Sequence, residues 1–75
     1  MDTEHLVTMA NEIATFFESD GGPEAAVANI QNHLQLFWEP RMRTAIIRYL
    51  AAGGEGLCPL ARAAVARLKL PASAA

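Results

Sequence analysis

The chain has 75 residues, 52% of them hydrophobic and 19% charged, with a formal net charge of −2. That is one domain's worth of sequence, too apolar for a disordered tail, and no apolar run reaches the ~20 residues needed to cross a bilayer. A single cysteine, Cys58, excludes an internal disulfide, and the two histidines lie too far from it in sequence for a metal-ligand spacing.

The first predicted element is a helix over 3–19, capped by Asp2 or Thr3, whose side-chain oxygens suit an orphan N–H of the first turn. Leu6, Ala10, Ile13 and Phe17 cluster at helical spacing, with Val7 and Ala14 widening the stripe on one side and Met9 and Phe16 on the other. Phe16-Phe17 reads as core rather than as a cofactor contact. Asp20-Gly21-Gly22-Pro23 breaks the pattern. Its glycines suit a helix end, and no Lys-Ser/Thr follows to make a phosphate loop. The second helix is predicted over 23–38, with Ala26, Val27, Ile30, Leu34, Phe37 and Trp38 as its core stripe. Leu36 falls on the opposite side and would fit a second contact surface. His33 lies at the stripe's edge with no visible partner for catalysis or metal binding, so it reads as structural.

The stretch from His33 to Arg43 holds the chain's only Trp, and Pro40 follows two residues later. The residue before a proline is pushed out of the α region, and proline suits the first helical position. One helix therefore ends near Trp38 and another starts at Pro40, at a steep angle locked by the bulky aromatics. The third helix, over 40–52, presents Met42, Ala45, Ile46, Tyr49 and Leu50 on one face. Arg41 and Arg48 border that face on one flank, and Arg43 lies on the other near Ile47. Arginines in a first helical turn oppose the macrodipole, at up to ~1 kcal/mol. An acidic patch on this chain or an anionic partner should offset that. Salt bridges to Glu39 or the acidic first helix and contact with a partner both fit, and Trp38, Pro40, Arg41, Arg43 and Arg48 are the candidate partner-binding residues.

Gly53-Gly54-Glu55-Gly56 ends the third helix. Cys58 reads as a packing or cap residue before a fourth helix opened by Pro59 and stopped by Pro71. Leu57, Leu60, Ala61, Ala64, Val65 and Leu68 face inward there, and Arg62, Arg67 and Lys69 lie off the stripe. The expected fold is all-α, a small bundle or orthogonal array of about four short helices. One domain spans 1–70, followed by a frayed tail over 71–75. Below about 70–80 residues a single core rarely supplies more than ~3–5 kcal/mol. With so many alanines and no disulfide, association is expected to add stability.

The net charge hides an asymmetry. Residues 1–38 carry Asp2, Glu4, Glu12, Glu18, Asp20 and Glu24 and no Lys or Arg, a formal −6. Residues 39–75 carry Arg41, Arg43, Arg48, Arg62, Arg67 and Lys69 against Glu39 and Glu55, a formal +4. Mutual neutralisation of packed helices is the plainer explanation, and a basic face for an acidic partner the sharper one. Overall acidity and the lack of basic clusters interleaved with aromatics disfavour nucleic acid. No triad, carboxylate pair or nucleotide fingerprint is present, and a chain this short does not readily enclose a pocket of a few hundred Å³. An interaction module or accessory subunit is favoured over an enzyme. The acidic N-terminus lacks a basic n-region, so no signal peptide is expected and the default compartment is the cytoplasm.

Four stretches together resemble one family. They are Leu6-Val7-Thr8-Met9-Ala10-Asn11-Glu12-Ile13 with Phe16-Phe17, His33, Phe37-Trp38-Glu39-Pro40-Arg41-Met42-Arg43, and Gly56-Leu57 with Pro59-Leu60. They are similar to the delta subunit of NAD-dependent formate dehydrogenase, over about 2–68. The resemblance implies a soluble bacterial complex that oxidises formate to carbon dioxide and reduces NAD. Its alpha subunit carries a molybdenum or tungsten pterin and iron–sulfur clusters, and its beta and gamma subunits carry FMN and further clusters. The delta subunit carries no redox centre and serves assembly or stabilisation, so the resemblance supplies no catalytic residue. The rival readings are a small regulator or adaptor that binds an acidic protein or nucleic acid through the arginine-flanked face, and an assembly chaperone absent from the mature enzyme.

Overall fold

The structure, a computed structural model, describes residues 2–19 and 21–70. Four helices follow one another: α1 (Thr3–Phe17), α2 (Pro23–Phe37), α3 (Pro40–Ala51) and α4 (Pro59–Ala66). The fold is the expected small all-α array. Asp2 caps α1 by accepting a hydrogen bond from the Glu4 N–H at 3.1 Å. Pro23, Pro40 and Pro59 each occupy a first-turn position, where their missing N–H costs nothing. Gly22, before Pro23, has φ 94°, a left-handed conformation open to glycine. The helix ends fall short of expectation: α1 stops at Phe17 rather than residue 19, and α4 at Ala66, well before Pro71. The expected tail over 71–75, and Asp20 in the first break, lie outside the described residues.

The core is built where α2 lies against both α1 and α4. Leu6, Ala10 and Ala14 of α1 meet Val27, Ile30 and Leu34 of α2 and Ala61, Ala64 and Val65 of α4. Alanines at the crossings let backbones come close, so a short chain closes a core with few large side chains. α3 packs on α1 and α4, with Ile46 as its one fully buried residue among those described. Short loops pair α1 with α2 and α3 with α4 as expected. Across the corner, α2 and α3 diverge and do not lie along each other. Trp38 takes an extended conformation (φ −84°, ψ 137°) that ends α2, and Glu39, before the proline, is also extended. Trp38 is 4% exposed and belongs to the core cluster.

Two residues placed in the core by their spacing are outside it. Phe37 is 71% exposed and Phe16 78% exposed. Each stands in the last turn of its helix, beyond the point where another helix covers that side. Leu36 is exposed, as its phase implies.

Candidate functional site

The chain makes two junctions around α3, and they are built differently. At the α3–α4 junction the backbone is fastened by side chains from three helices. The amide of Asn11 spans the turn: its Nδ2 donates to the Gly56 carbonyl at 2.8 Å, and its Oδ1 accepts from the Cys58 N–H at 2.9 Å. Tyr49 donates its hydroxyl proton to the Glu55 carbonyl at 2.6 Å. Arg62 donates to the carbonyls of Gly54 and Gly53 at 2.6 and 3.0 Å. Gly54 itself is buried with φ 63°, and a Cβ there would stand 2.7 Å from Leu50 Cδ1 and 2.9 Å from Arg62 Nη1. Cys58, half-buried, is the N-cap residue of α4. This junction is closed and internally satisfied.

The α2–α3 junction opens onto a groove of about 570 Å³. Met9, Glu12, Ile13, Phe16 and Phe17 form the α1 wall, at the spacing that puts them on one helix face. His33 and Phe37, one turn apart, form the α2 wall, and Trp38 and Met42 close the end. The aromatic rings run in series. Phe16 and Phe17 meet edge to face with centroids 5.0 Å apart, Phe17 and His33 lie 6.1 Å apart, and His33 and Phe37 4.8 Å apart. His33 is thus a packed member of an aromatic row. The space is an open surface groove rather than an enclosed pocket, so it does not run against the expectation from length.

The five candidate partner-binding residues separate. Trp38 is buried at the end of the groove. Pro40, Arg41 and Arg48 are exposed on α3. Arg43 is half-buried and turned back on its own chain, where it donates to the carbonyls of Trp38 and Gln35 at the end of α2. That resolves its position in the first turn of α3. The charge that opposes one helix's positive end serves the carbonyl end of the helix before it. Neither an acidic patch nor an anionic partner is needed for Arg43. The arginines whose hydrogen bonds are seen, Arg43 and Arg62, bond to backbone carbonyls rather than to carboxylate side chains.

Among the described residues, no three His, Cys, Asp or Glu side chains come together in a group able to hold a metal ion. Cys58 is the single cysteine of the sequence, so it has no sulfur companion. One cysteine cannot supply the several thiolates that hold an iron–sulfur cluster. No described helix is long and apolar enough to cross a membrane.

The family model of the NADH-dependent formate dehydrogenase delta subunit, FdsD, matches residues 5–65. No curated protein and no solved structure matches the chain. The matched span runs from the first turn of α1 into the last turn of α4 and includes both junctions. The chain belongs to the FdsD family of formate dehydrogenase delta subunits.

Proposed function

We propose that this chain is a non-catalytic accessory subunit that stabilises, or helps to assemble, the cofactor-bearing alpha subunit of an NAD-dependent formate dehydrogenase in the cytoplasm. Beta and gamma subunits complete the complex. The molybdenum or tungsten pterin, the iron–sulfur clusters and FMN belong to those partners, and this chain contributes surface rather than chemistry.

The observation that carries the reading is the pair Phe16 and Phe37, 78% and 71% exposed at the rim of one apolar groove. A domain of this size has little core to spare, and leaving two phenylalanines in water is costly unless a partner covers them. Trp38 then acts as scaffold beneath the docking face, and Arg43 fixes the corner that shapes it. Pro40, Arg41 and Arg48 extend the contact surface along α3.

The test is tagged purification of the chain from its native cells, followed by mass spectrometry and metal analysis. Stoichiometric recovery with molybdenum or tungsten, iron–sulfur and flavin proteins supports a permanent subunit. Sub-stoichiometric recovery, with loss of cofactor insertion on deletion, identifies an assembly chaperone instead. The exposed Arg41 and Arg48 favour a second reading, an adaptor for an acidic protein. It predicts recovery of the chain without those subunits and strongly salt-dependent binding of its target.

A further inference from the structure

We infer that the aromatic groove receives an amphipathic helix of a partner subunit whose apolar anchors are bordered by lysine or arginine, with Glu12 as the group that recognises the positive charge. This rests on the subunit reading above.

The argument begins with what lines the groove. Of its nine lining residues, Glu12 is the one carboxylate, and no Lys or Arg is among them. Glu12 stands three residues after Met9, one before Ile13 and four before Phe16, in the middle of the apolar α1 wall. It is exposed, so water solvates its carboxylate while the groove is open. A purely apolar occupant would strip that water and leave a buried charge without a partner. That arrangement is strongly unfavourable, whereas a cation brought by the occupant compensates it. The long walls carry the same sign of formal charge, and Arg41 and Arg43 flank only Met42 at the closed end. Both long walls come from α1 and α2, which lie in the half of the sequence that holds six acidic residues and no Lys or Arg. A cationic segment is therefore drawn to these walls and an acidic one repelled.

The shape selects the kind of segment. The walls are two helix faces, and the exposed rings at the rim are Phe16 and Phe37, one from each wall. A helix laid between them presents anchors at i, i+3, i+4 and i+7, the usual way an amphipathic helix fills a groove. The α2 wall adds its own stacking row, His33 against Phe37 at 4.8 Å, able to take an aromatic or a guanidinium face.

The experiment uses the assembled complex, purified through a tag on this chain from cells that make all its subunits. Three forms are compared with the wild type: the double variant Phe16→Ala/Phe37→Ala, the charge reversal Glu12→Lys, and the control Glu24→Lys in the first turn of α2. Circular dichroism first establishes that each variant keeps its helices. The double variant and Glu12→Lys are expected to lower recovery of the partner subunits at least tenfold, with Glu24→Lys near wild type. In parallel, carbodiimide treatment of the wild-type complex is expected to join the Glu12 carboxylate to a lysine in an amphipathic segment of a partner subunit, identified by peptide mass spectrometry. Wild-type recovery by the folded double variant overturns the groove as the docking site. Loss with the double variant but not with Glu12→Lys overturns the basic character of the occupant. A cross-link from Glu12 to a second copy of this chain, with dimers that the double variant abolishes, assigns the groove to self-association and overturns the proposal. If the wild-type chain itself brings down no other subunit, the subunit reading fails first, and that failure is distinct from the other three.

Discussion

The two junctions flanking α3 solve the same problem, turning a short chain between helices, in opposite ways. The α3–α4 turn spends polar side chains on its own backbone: Asn11, Tyr49 and Arg62 together engage Gly53, Gly54, Glu55, Gly56 and Cys58. The α2–α3 corner uses one buried ring, Trp38, and one arginine, and leaves an apolar aromatic groove beside it. The α3–α4 turn directs its polar side chains to its own backbone. The corner is held rigid by residues underneath while the rings on its rim remain free. Stability and recognition are thus assigned to different residues, and substitutions should separate them.

The largest effect belongs to the corner's buried anchor. Trp38→Ala removes the largest core side chain and should cost roughly 3–5 kcal/mol. That is about the whole stability expected of a domain this small. Urea unfolding followed by circular dichroism should find the isolated variant largely unfolded. A cooperative transition near the wild-type midpoint would mean that the corner does not depend on its ring. On the other side of the comparison, Gly54→Ala combines left-handed strain at φ 63° with a Cβ 2.7 Å from Leu50. Left-handed strain, with the ends of Leu50 and Arg62 having to move aside, should cost about 1–2 kcal/mol. The α3–α4 turn should loosen, with faster amide exchange at 53–58 than in α2.

Asn11→Ala tests the polar fastening alone. It leaves the part-buried Cys58 N–H without its acceptor, while water can reach the exposed Gly56 carbonyl, at a cost of about 1 kcal/mol. Thermal melting should register the loss while groove-dependent association stays intact. This residue also marks where sequence reasoning ends. Asn11 falls on the polar side of α1 and looks like a solvated position, because its partners are 45 and 47 residues away. Helical phase says which way a side chain points. It does not say what stands opposite. The three proline starts, the Asp2 cap and the stripe of Ala26, Val27, Ile30 and Leu34 were legible because each depends on neighbours within one or two turns. Phe16 and Phe37 were not, because they point toward the core side at helix ends that nothing covers. The glycine break was legible at 53–56, but the arginine that closes it from α4 was not.

Arg43 should show a comparable effect. Arg43→Met keeps much of the apolar stem and removes the donors to the Trp38 and Gln35 carbonyls. Arg43 is half-buried and its Nε is buried without a hydrogen-bond partner, which offsets part of what the two bonds contribute, so the loss should be about 1 kcal/mol. The informative readout is the tryptophan. Trp38 fluorescence should shift toward the red, because the carbonyl end of α2 is no longer tied to α3. An unshifted spectrum with unchanged stability would show that packing alone fixes the corner.

The smallest effect on stability is expected where the effect on association is greatest. Phe16 and Phe37 are already in water, and replacing each by alanine forfeits only its contact with Phe17 or His33, less than about 1 kcal/mol apiece. Removing exposed apolar surface should also improve the solubility of the isolated chain. If the double variant melts within a few degrees of wild type and yet fails to hold its partners, the groove is a surface kept open for binding. If it unfolds instead, the rings stabilise the fold despite their exposure, and the division between a self-satisfied turn and a partner-seeking corner collapses.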